Sequence, residues 1–167
     1  MSRKVPGVAT LLAAILITLS VFAPALRAAD PSNVDDLVKQ ADKAMQDGKY
    51  KAALAALDQA ITAAPGRADL YGLRARVNDE RNDVDKALDD IKKMMELAPN
   101  DATAYMIRAK INMGRQKFDE ALADANAAIE RAPKNPDAYY LRSDVYNDMG
   151  KTAESKADEA KASSLER

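Results

Sequence analysis

The apolar and polar positions of this chain repeat with a period of 34 residues. Shifting the sequence by 34 residues superposes two sets of identical residues, which are Pro31, Pro65, Pro99 and Pro133, and Ala53, Ala87 and Ala121. In the second half of the first three repeats, apolar side chains occupy positions 17, 20, 21, 24 and 28, which share one face of a helix. A fixed period of this length indicates stacked helical repeats rather than a closed globule.

The prolines mark four repeats, which are residues 34–67, 68–101, 102–135 and 136–167. Each repeat predicts a first (A) helix and a second (B) helix joined by a short turn. The A helices are expected at 34–46, 68–80, 102–113 and 136–148, and the B helices at 50–63, 84–97, 118–131 and 152–164. Residues 29–33 are predicted to be a short tether, and no strand is expected.

Aligning the repeats shows which positions are small and which are large. Position 8 holds Ala41, Ala75, Ala109 and Ser143, and position 20 holds Ala53, Ala87, Ala121 and Ser155. Position 4 holds Leu37, Tyr71, Tyr105 and Tyr139. Small side chains predict where two helices approach closely, and large ones fill the gap between them. We therefore expect the tyrosines to pack in the core or between repeats, with their hydroxyls at the surface.

These columns resemble the tetratricopeptide repeat family, whose pattern has an aromatic residue at position 4, small residues at 8, 20 and 27, an aromatic residue at 17 and proline at 32. The resemblance covers residues 34–167 and implies an all-α fold, a right-handed α-solenoid of four helix-turn-helix repeats. Position 11 departs from the usual tyrosine in the first three repeats, where it holds Ala44, Asn78 and Asn112, and matches it only as Tyr146 in the fourth. The glycine between the two helices is present as Gly48 and Gly150, replaced by Asn82, and displaced to Gly114 in the third repeat.

The last B helix is predicted to be a degenerate polar cap. Where earlier repeats have apolar residues, it has Thr152, Ser155, Lys156, Glu159 and Ser163. Such a face offers a further repeat no apolar surface to stack on. The stripe expected to pack inward is Ala153, Ala157 and Ala160.

Opposite charges recur at positions 7 and 23. These positions hold Arg74, Arg108 and Arg142, and Asp90, Asp124 and Asp158. We interpret them as partly exposed ion pairs between the A and B helices of one repeat, each contributing roughly 0–1 kcal/mol to stability. A ligand-binding role is the alternative.

Composition argues against catalysis, cofactors and nucleic acid. The chain has no cysteine, histidine or tryptophan, so thiol nucleophiles, imidazole bases and the common zinc ligand sets are missing. Adjacent carboxylates such as Asp89 and Asp90 point about 100° apart on a helix and do not converge. Residues 29–167 have 22 basic and 26 acidic residues and no basic patch interleaved with aromatic residues. No enzyme activity, cofactor, metal site or nucleic-acid partner is predicted.

Residues 1–28 predict a signal peptide, with two basic residues at positions 3 and 4 followed by a 16-residue apolar stretch, Val8 to Ala23. This stretch is shorter than the about 20 residues of a spanning helix. Cleavage is expected after Ala25 or after Ala28, and an uncleaved membrane anchor is the alternative. The mature protein is expected in the periplasm or outside the cell, with membrane contact only through this segment.

The resemblance and the lack of catalytic groups favour a non-catalytic scaffold or adaptor of the cell envelope that binds a partner protein. In the family, positions 2, 5, 9 and 12 of each A helix face the concave groove. The resemblance thus implies a partner-binding face of Asp35, Val38, Asp42 and Met45; Asp69, Gly72, Arg76 and Asp79; Thr103, Met106, Lys110 and Met113; and Asp137, Tyr140, Asp144 and Asn147.

Acidic residues outnumber basic ones on this face and apolar residues lie between them, so we expect a basic, partly apolar peptide segment to bind there. Binding on the convex side or at an edge is the alternative for the surface. A structural assembly factor that self-associates or stays anchored in the membrane is the alternative for the function.

Overall fold

A computed structural model describes residues 31–167, which form eight α-helices and no strand. The helices are α1 (Pro31–Gln46), α2 (Tyr50–Ala63), α3 (Ala68–Glu80), α4 (Val84–Leu97), α5 (Ala102–Gly114), α6 (Phe118–Arg131), α7 (Pro136–Asp148) and α8 (Thr152–Leu165). Each odd-numbered helix packs along the even-numbered helix that follows it, and successive pairs pack on one another. The predicted all-α helical repeat solenoid is confirmed over this range.

The helices begin and end within one residue of the predicted bounds, except at the first helix. Because α1 begins at Pro31, the tether predicted at 29–33 is wrong from that residue onward. A proline fits the first helical turn, where its missing amide hydrogen would have no helical partner. The predicted signal peptide and both of its cleavage sites lie outside the described residues. None of the described helices is long and apolar enough to cross a membrane.

The two helices of each repeat meet at the predicted small residues. Ala75 of α3 and Ala87 of α4 have no exposed surface. In the fourth repeat the same positions are Ser143 and Ser155, whose buried hydroxyls are hydrogen-bonded to each other at 2.9 Å. Because the two hydroxyls satisfy one another, the close approach is kept where the alanines are replaced.

A buried carboxylate joins the two helices of the second repeat. Arg74 donates to both oxygens of Asp90, with a shortest distance of 2.6 Å, and Asn78 donates to the same carboxylate at 3.2 Å. The predicted ion pair is confirmed, but its predicted partial exposure is wrong for the carboxylate, since Asp90 is 5% exposed. A buried charge needs several hydrogen bonds, and the asparagine that departs from the family pattern at position 11 supplies one.

The third and fourth repeats have the same connection between their helices. Arg108 donates to Asp124 at 2.6 Å, and Asn112 donates to it at 3.2 Å. Arg142 donates to Asp158 at 2.7 Å.

Two of these arginines also link their repeat to the one before it. Arg74 donates to Asp58 of α2 at 2.7 Å, and Arg142 donates to Asn126 of α6 at 2.7 Å. Both partners occupy position 25, so the link follows the 34-residue period.

The junction between the second and third repeats lacks this link. Position 25 of the second repeat is Lys92, which lies in α4. Its ammonium group only donates hydrogen bonds, so it cannot accept one from an arginine. Arg108 instead approaches the sulfur of Met95 at 3.7 Å. Apolar packing and this contact to a sulfur, rather than a hydrogen bond to a carboxylate or amide oxygen, therefore join α4 to α5.

The inward face of α8 differs from the predicted stripe. Its buried residues are Ser155, Asp158 and Ala162. The alanines predicted to pack inward are exposed, namely Ala153, Ala157 and Ala160. Positions 20, 23 and 27 face the A helix in every repeat. The register of the two helices, rather than the apolar character of the side chains, therefore determines which residues of α8 are buried. As a result, the most apolar stripe of α8 is exposed to solvent.

The tyrosines at position 4 pack as predicted, but two of their hydroxyls are used inside the protein. Tyr71 and Tyr139 are buried, and their hydroxyls donate to the carbonyls of Pro65 and Pro133 at 3.1 Å. These two hydrogen bonds were not predicted from the sequence. Each one ties an A helix to the proline turn that precedes it.

In the second repeat, position 5 is small and position 27 is large, whereas in the other repeats position 5 is large and position 27 is small. Position 5 is Gly72 here and is otherwise Val38, Met106 and Tyr140. Position 27 is Met94 here and is otherwise Ala60, Ala128 and Ala162. A Cβ atom added to Gly72 would lie 2.8 Å from the Met94 sulfur, so this thioether fills the space that other repeats give to position 5.

The turn between the two helices of a repeat has a left-handed residue at position 15. These residues are Gly48, Asn82, Gln116 and Gly150, with φ of 69°, 61°, 58° and 74°. The third turn keeps this geometry although its displaced glycine, Gly114, belongs to α5, and it has the hydrogen bond from Lys117 N to Asn112 O at 2.9 Å.

We predict that Gln116→Gly stabilises the protein. A side chain in the left-handed region costs roughly 1–2 kcal/mol of stability, and glycine removes this strain. The net gain is smaller than the strain, because glycine loses more chain entropy on folding. Thermal and denaturant unfolding should show a gain on the order of 0.5–1 kcal/mol. Gln116→Ala is the matched control, since alanine keeps the strain. Equal stability of the two variants would contradict the assignment.

We also predict strong coupling between positions 5 and 27 of the second repeat. Met94→Ala alone should cost about 2–5 kcal/mol by leaving a cavity, and Gly72→Met alone should cost roughly 1–3 kcal/mol by overpacking. The double variant Gly72→Met/Met94→Ala reproduces the arrangement of the third repeat and should unfold near the wild-type temperature. A double-mutant cycle by denaturant unfolding measures this coupling, and additive costs would refute it.

Candidate protein-binding groove

The helices α1, α3, α5 and α7 form one side of the solenoid, and we call the surface along their positions 2, 5, 9 and 12 the A-helix groove. On this side α3 packs against α5, and α5 packs against α7. A central cavity of about 700 Å³ lies between α3 and α5, and a side cavity of about 180 Å³ lies between α1 and α3. Leu73 and Arg76 line both cavities, so the two adjoin.

The cavities bring together nine of the residues predicted to face the groove. Those around the central cavity are Asp69, Gly72, Arg76, Asp79, Thr103, Met106 and Lys110. Those around the side cavity are Asp42, Met45 and again Arg76.

The other predicted residues lie outside the two cavities. Val38 and Met113 are half-buried against the cores of the first and third repeats. Tyr140 is hydrogen-bonded inside its own repeat, where its hydroxyl donates to Glu166 at 3.2 Å. The exposed remainder is Asp35, Asp137, Asp144 and Asn147.

Arginines outside the predicted set neutralise part of the acidic surface. Arg67 donates to Asp35 and to Asp69 at 2.6 Å each, and the hydrogen bond from Arg67 lowers the pKa of Asp69. Arg115 donates to Asp79 at 3.2 Å. Three of the six predicted carboxylates are thus already paired.

Two cations on the groove have no such pairing. Among residues 31–167, neither Arg76 nor Lys110 forms an ion pair within 4.0 Å. Lys110 lies close enough to Asp144 to oppose the rise in the pKa of that carboxyl, which burial causes and repulsion from Asp148 increases. No group of three or more acidic side chains in the described range is arranged to hold a metal ion.

The central cavity includes residues that the sequence analysis did not assign to the groove. Leu73, Met94 and Ile107 add apolar surface, and Glu80 and Asp101 add carboxylates. Met94 is also part of the core, since it is 2% exposed. The sequence signal that could have identified the cavity is Gly72, a glycine in a column whose other members are large.

Comparison with known proteins gives a consistent result. Two tetratricopeptide repeat models match the chain, one over residues 43–112 and one over residues 106–162. No curated protein matches it significantly.

Several solved structures share the fold. The tetratricopeptide repeat protein TTC0263 of Thermus thermophilus is 20% identical, with 80% of this chain and 74% of that chain covered and a TM-score of 0.69. A crystal structure of MamA is 23% identical, with 83% and 81% covered and a TM-score of 0.64. The first repeat domain of Spaghetti (RPAP3), bound to an HSP90 peptide, is 22% identical, with 74% and 98% covered and a TM-score of 0.62.

The two family models together extend over residues 43–162, and the solved structures reproduce the succession of helical hairpins. The chain therefore belongs to the tetratricopeptide repeat family.

Proposed function

We propose that this chain is an exported, non-catalytic adaptor that binds a peptide segment of a partner protein along the A-helix groove. Tetratricopeptide repeat proteins generally mediate protein–protein interactions, and the repeat domain of Spaghetti was solved with an HSP90 peptide bound. The main support is the central cavity, whose volume of about 700 Å³ lies in the range of ligand-binding pockets.

The apolar surface of this cavity suits peptide side chains of different shapes. Met94 and Met106 border it together with Ile107 and the bare backbone of Gly72. Thioether side chains are flexible and polarisable, so they adapt to more than one apolar partner residue. An apolar residue of the peptide would therefore anchor in the cavity.

The ends of the groove supply the charge that selects the peptide. Asp42, Asp137 and Asp144 are exposed carboxylates without an arginine within ion-pair distance in the described range. They favour basic residues in the flanking parts of a partly apolar peptide, chiefly by speeding association at low salt.

Affinity capture from an envelope extract tests this function. The wild-type protein is compared with Gly72→Met/Met94→Ala, which moves a methionine from the core into the cavity, and with Leu88→Met, a control on the exposed face of α4. We expect the main partner to be recovered with wild type and control and to be reduced at least about tenfold with the cavity variant, since hot-spot pockets dominate binding. Equal recovery with all three proteins would move the binding surface elsewhere.

The proposed export rests on the predicted signal peptide and has a separate test. Cell fractionation followed by N-terminal sequencing should find the mature protein outside the cytoplasm, beginning at Leu26 or Ala29. An intact N-terminus in the membrane fraction would favour the anchored alternative, and an intact N-terminus in the cytoplasm would refute export.

A further inference from the structure

The charges at position 9 of the four A helices have an ordered arrangement. Along the solenoid they are Asp42, Arg76, Lys110 and Asp144, so two cations occupy the centre and one carboxylate lies at each end. All four belong to the A-helix groove, and both cations line the central cavity.

The two central cations differ from three other arginines of the second and third repeats, which form ion pairs. Arg74 and Arg108 bind buried aspartates, and Arg115 binds Asp79. Arg76 and Lys110 are exposed and form no ion pair within residues 31–167. Their charges are therefore available to a ligand.

The carboxylates around the central cavity are largely committed to contacts within the protein. Asp69 accepts hydrogen bonds from Arg67, Asp79 accepts one from Arg115, and Asp101 accepts one from the Thr103 amide at 2.8 Å. The groups of the central cavity that can contact a ligand are therefore its apolar floor, the two cations Arg76 and Lys110, which are unpaired in the described range, and the carboxylate of Glu80.

We infer that the central cavity binds an acidic side chain that lies next to an apolar side chain in the partner peptide. The apolar side chain rests on Met94 and Ile107, and the carboxylate lies between the guanidinium of Arg76 and the ammonium of Lys110. Charge-assisted hydrogen bonds to a carboxylate are stronger than neutral ones, and arginine adds a bidentate geometry. This inference rests on the proposed function and specifies its ligand.

The acidic residue is internal to the peptide rather than its carboxyl terminus. Beyond Arg76 the groove continues into the side cavity with Asp42 and Met45, and beyond Lys110 it continues to Asp144. A peptide chain that passes through the central cavity therefore has groove on both sides of it. The carboxylates at both ends complement basic residues before and after the acidic one.

A random linear peptide library selected on the purified protein tests the inference. We expect selected peptides to contain an aspartate or glutamate next to an apolar residue, with lysine or arginine on both sides. Fluorescence anisotropy with a labelled selected peptide should then show about tenfold weaker binding when its acidic residue becomes the amide, equivalent to about 1.4 kcal/mol.

The protein variants identify the cations responsible. Arg76→Ala/Lys110→Ala should bind the acid and amide peptides equally while melting like wild type, because both side chains are exposed and form no ion pair within residues 31–167. Lys51→Ala/Lys156→Ala is the control, with two exposed lysines outside the groove, and should keep the tenfold preference. Lys110→Glu should favour a peptide whose acidic residue is replaced by lysine.

The outcomes separate this inference from the proposed function. Peptides that lose affinity for Gly72→Met/Met94→Ala but show no preference for acid over amide would overturn the inference and leave the groove as the binding site. If no peptide is selected, or if selected peptides bind this cavity variant as well as wild type, both are overturned.

Discussion

The close approach of two helices at one pair of small side chains per repeat is the constraint on which the rest of this structure depends. Where Ala75 meets Ala87, no surface is left exposed, and a larger side chain on either helix would force the hairpin apart. This contact fixes the register of the B helix against the A helix. The register brings Arg74 opposite Asp90, and in α8 it buries Asp158 although more apolar residues are available on the same helix.

The buried carboxylates add a second, directional layer to this packing. An arginine within a repeat satisfies its own aspartate and, in two of three cases, reaches the B helix of the preceding repeat. Lys92 interrupts this pattern at the junction where the central cavity lies. There, Tyr71, Met94 and Ala104 form the apolar cluster that joins the two repeats, with Ile107 packed against it. Non-directional contacts tolerate small shifts of α5 against α4 better than a bidentate ion pair does.

Most of the fold was predictable from the sequence because its signals are local and recur four times. The prolines, the small columns and the paired charges fixed the helix bounds and the Arg108–Asp124 contact. Features that depend on the partner of a side chain were missed. The hydrogen bond from the Tyr71 hydroxyl to the Pro65 carbonyl was missed because a sequence does not show which carbonyl lies beside a side chain. The left-handed Gln116 was missed since a glycine lies two residues away.

The candidate site was less predictable, because the charge and depth of a groove depend on neighbouring side chains from other positions of the repeat as well as on the residues that face it. The family pattern identified the A-helix positions, and nine of them do surround the two cavities. Counting charges on those positions alone overstated the acidity of the groove, since Arg67 and Arg115 lie at other positions of the repeat. The depth of the central cavity follows from Gly72 and Met94 together, which are in different helices.

Because the second repeat has Gly72 at position 5 and Met94 at position 27, the shape of its part of the groove depends on the packing of its core. In the third repeat, the side chain at position 5 is Met106, which lines the central cavity, and position 27 is a buried alanine. In the second repeat the cavity floor is itself a core residue, so changing the shape of the cavity also changes the packing of α3 on α4. Position 9 has no such restriction, because Arg76 and Lys110 are exposed. The shape of the central cavity is therefore constrained by the packing of the core. Its charge is not, because the residues at position 9 can change to suit a ligand without disturbing that packing.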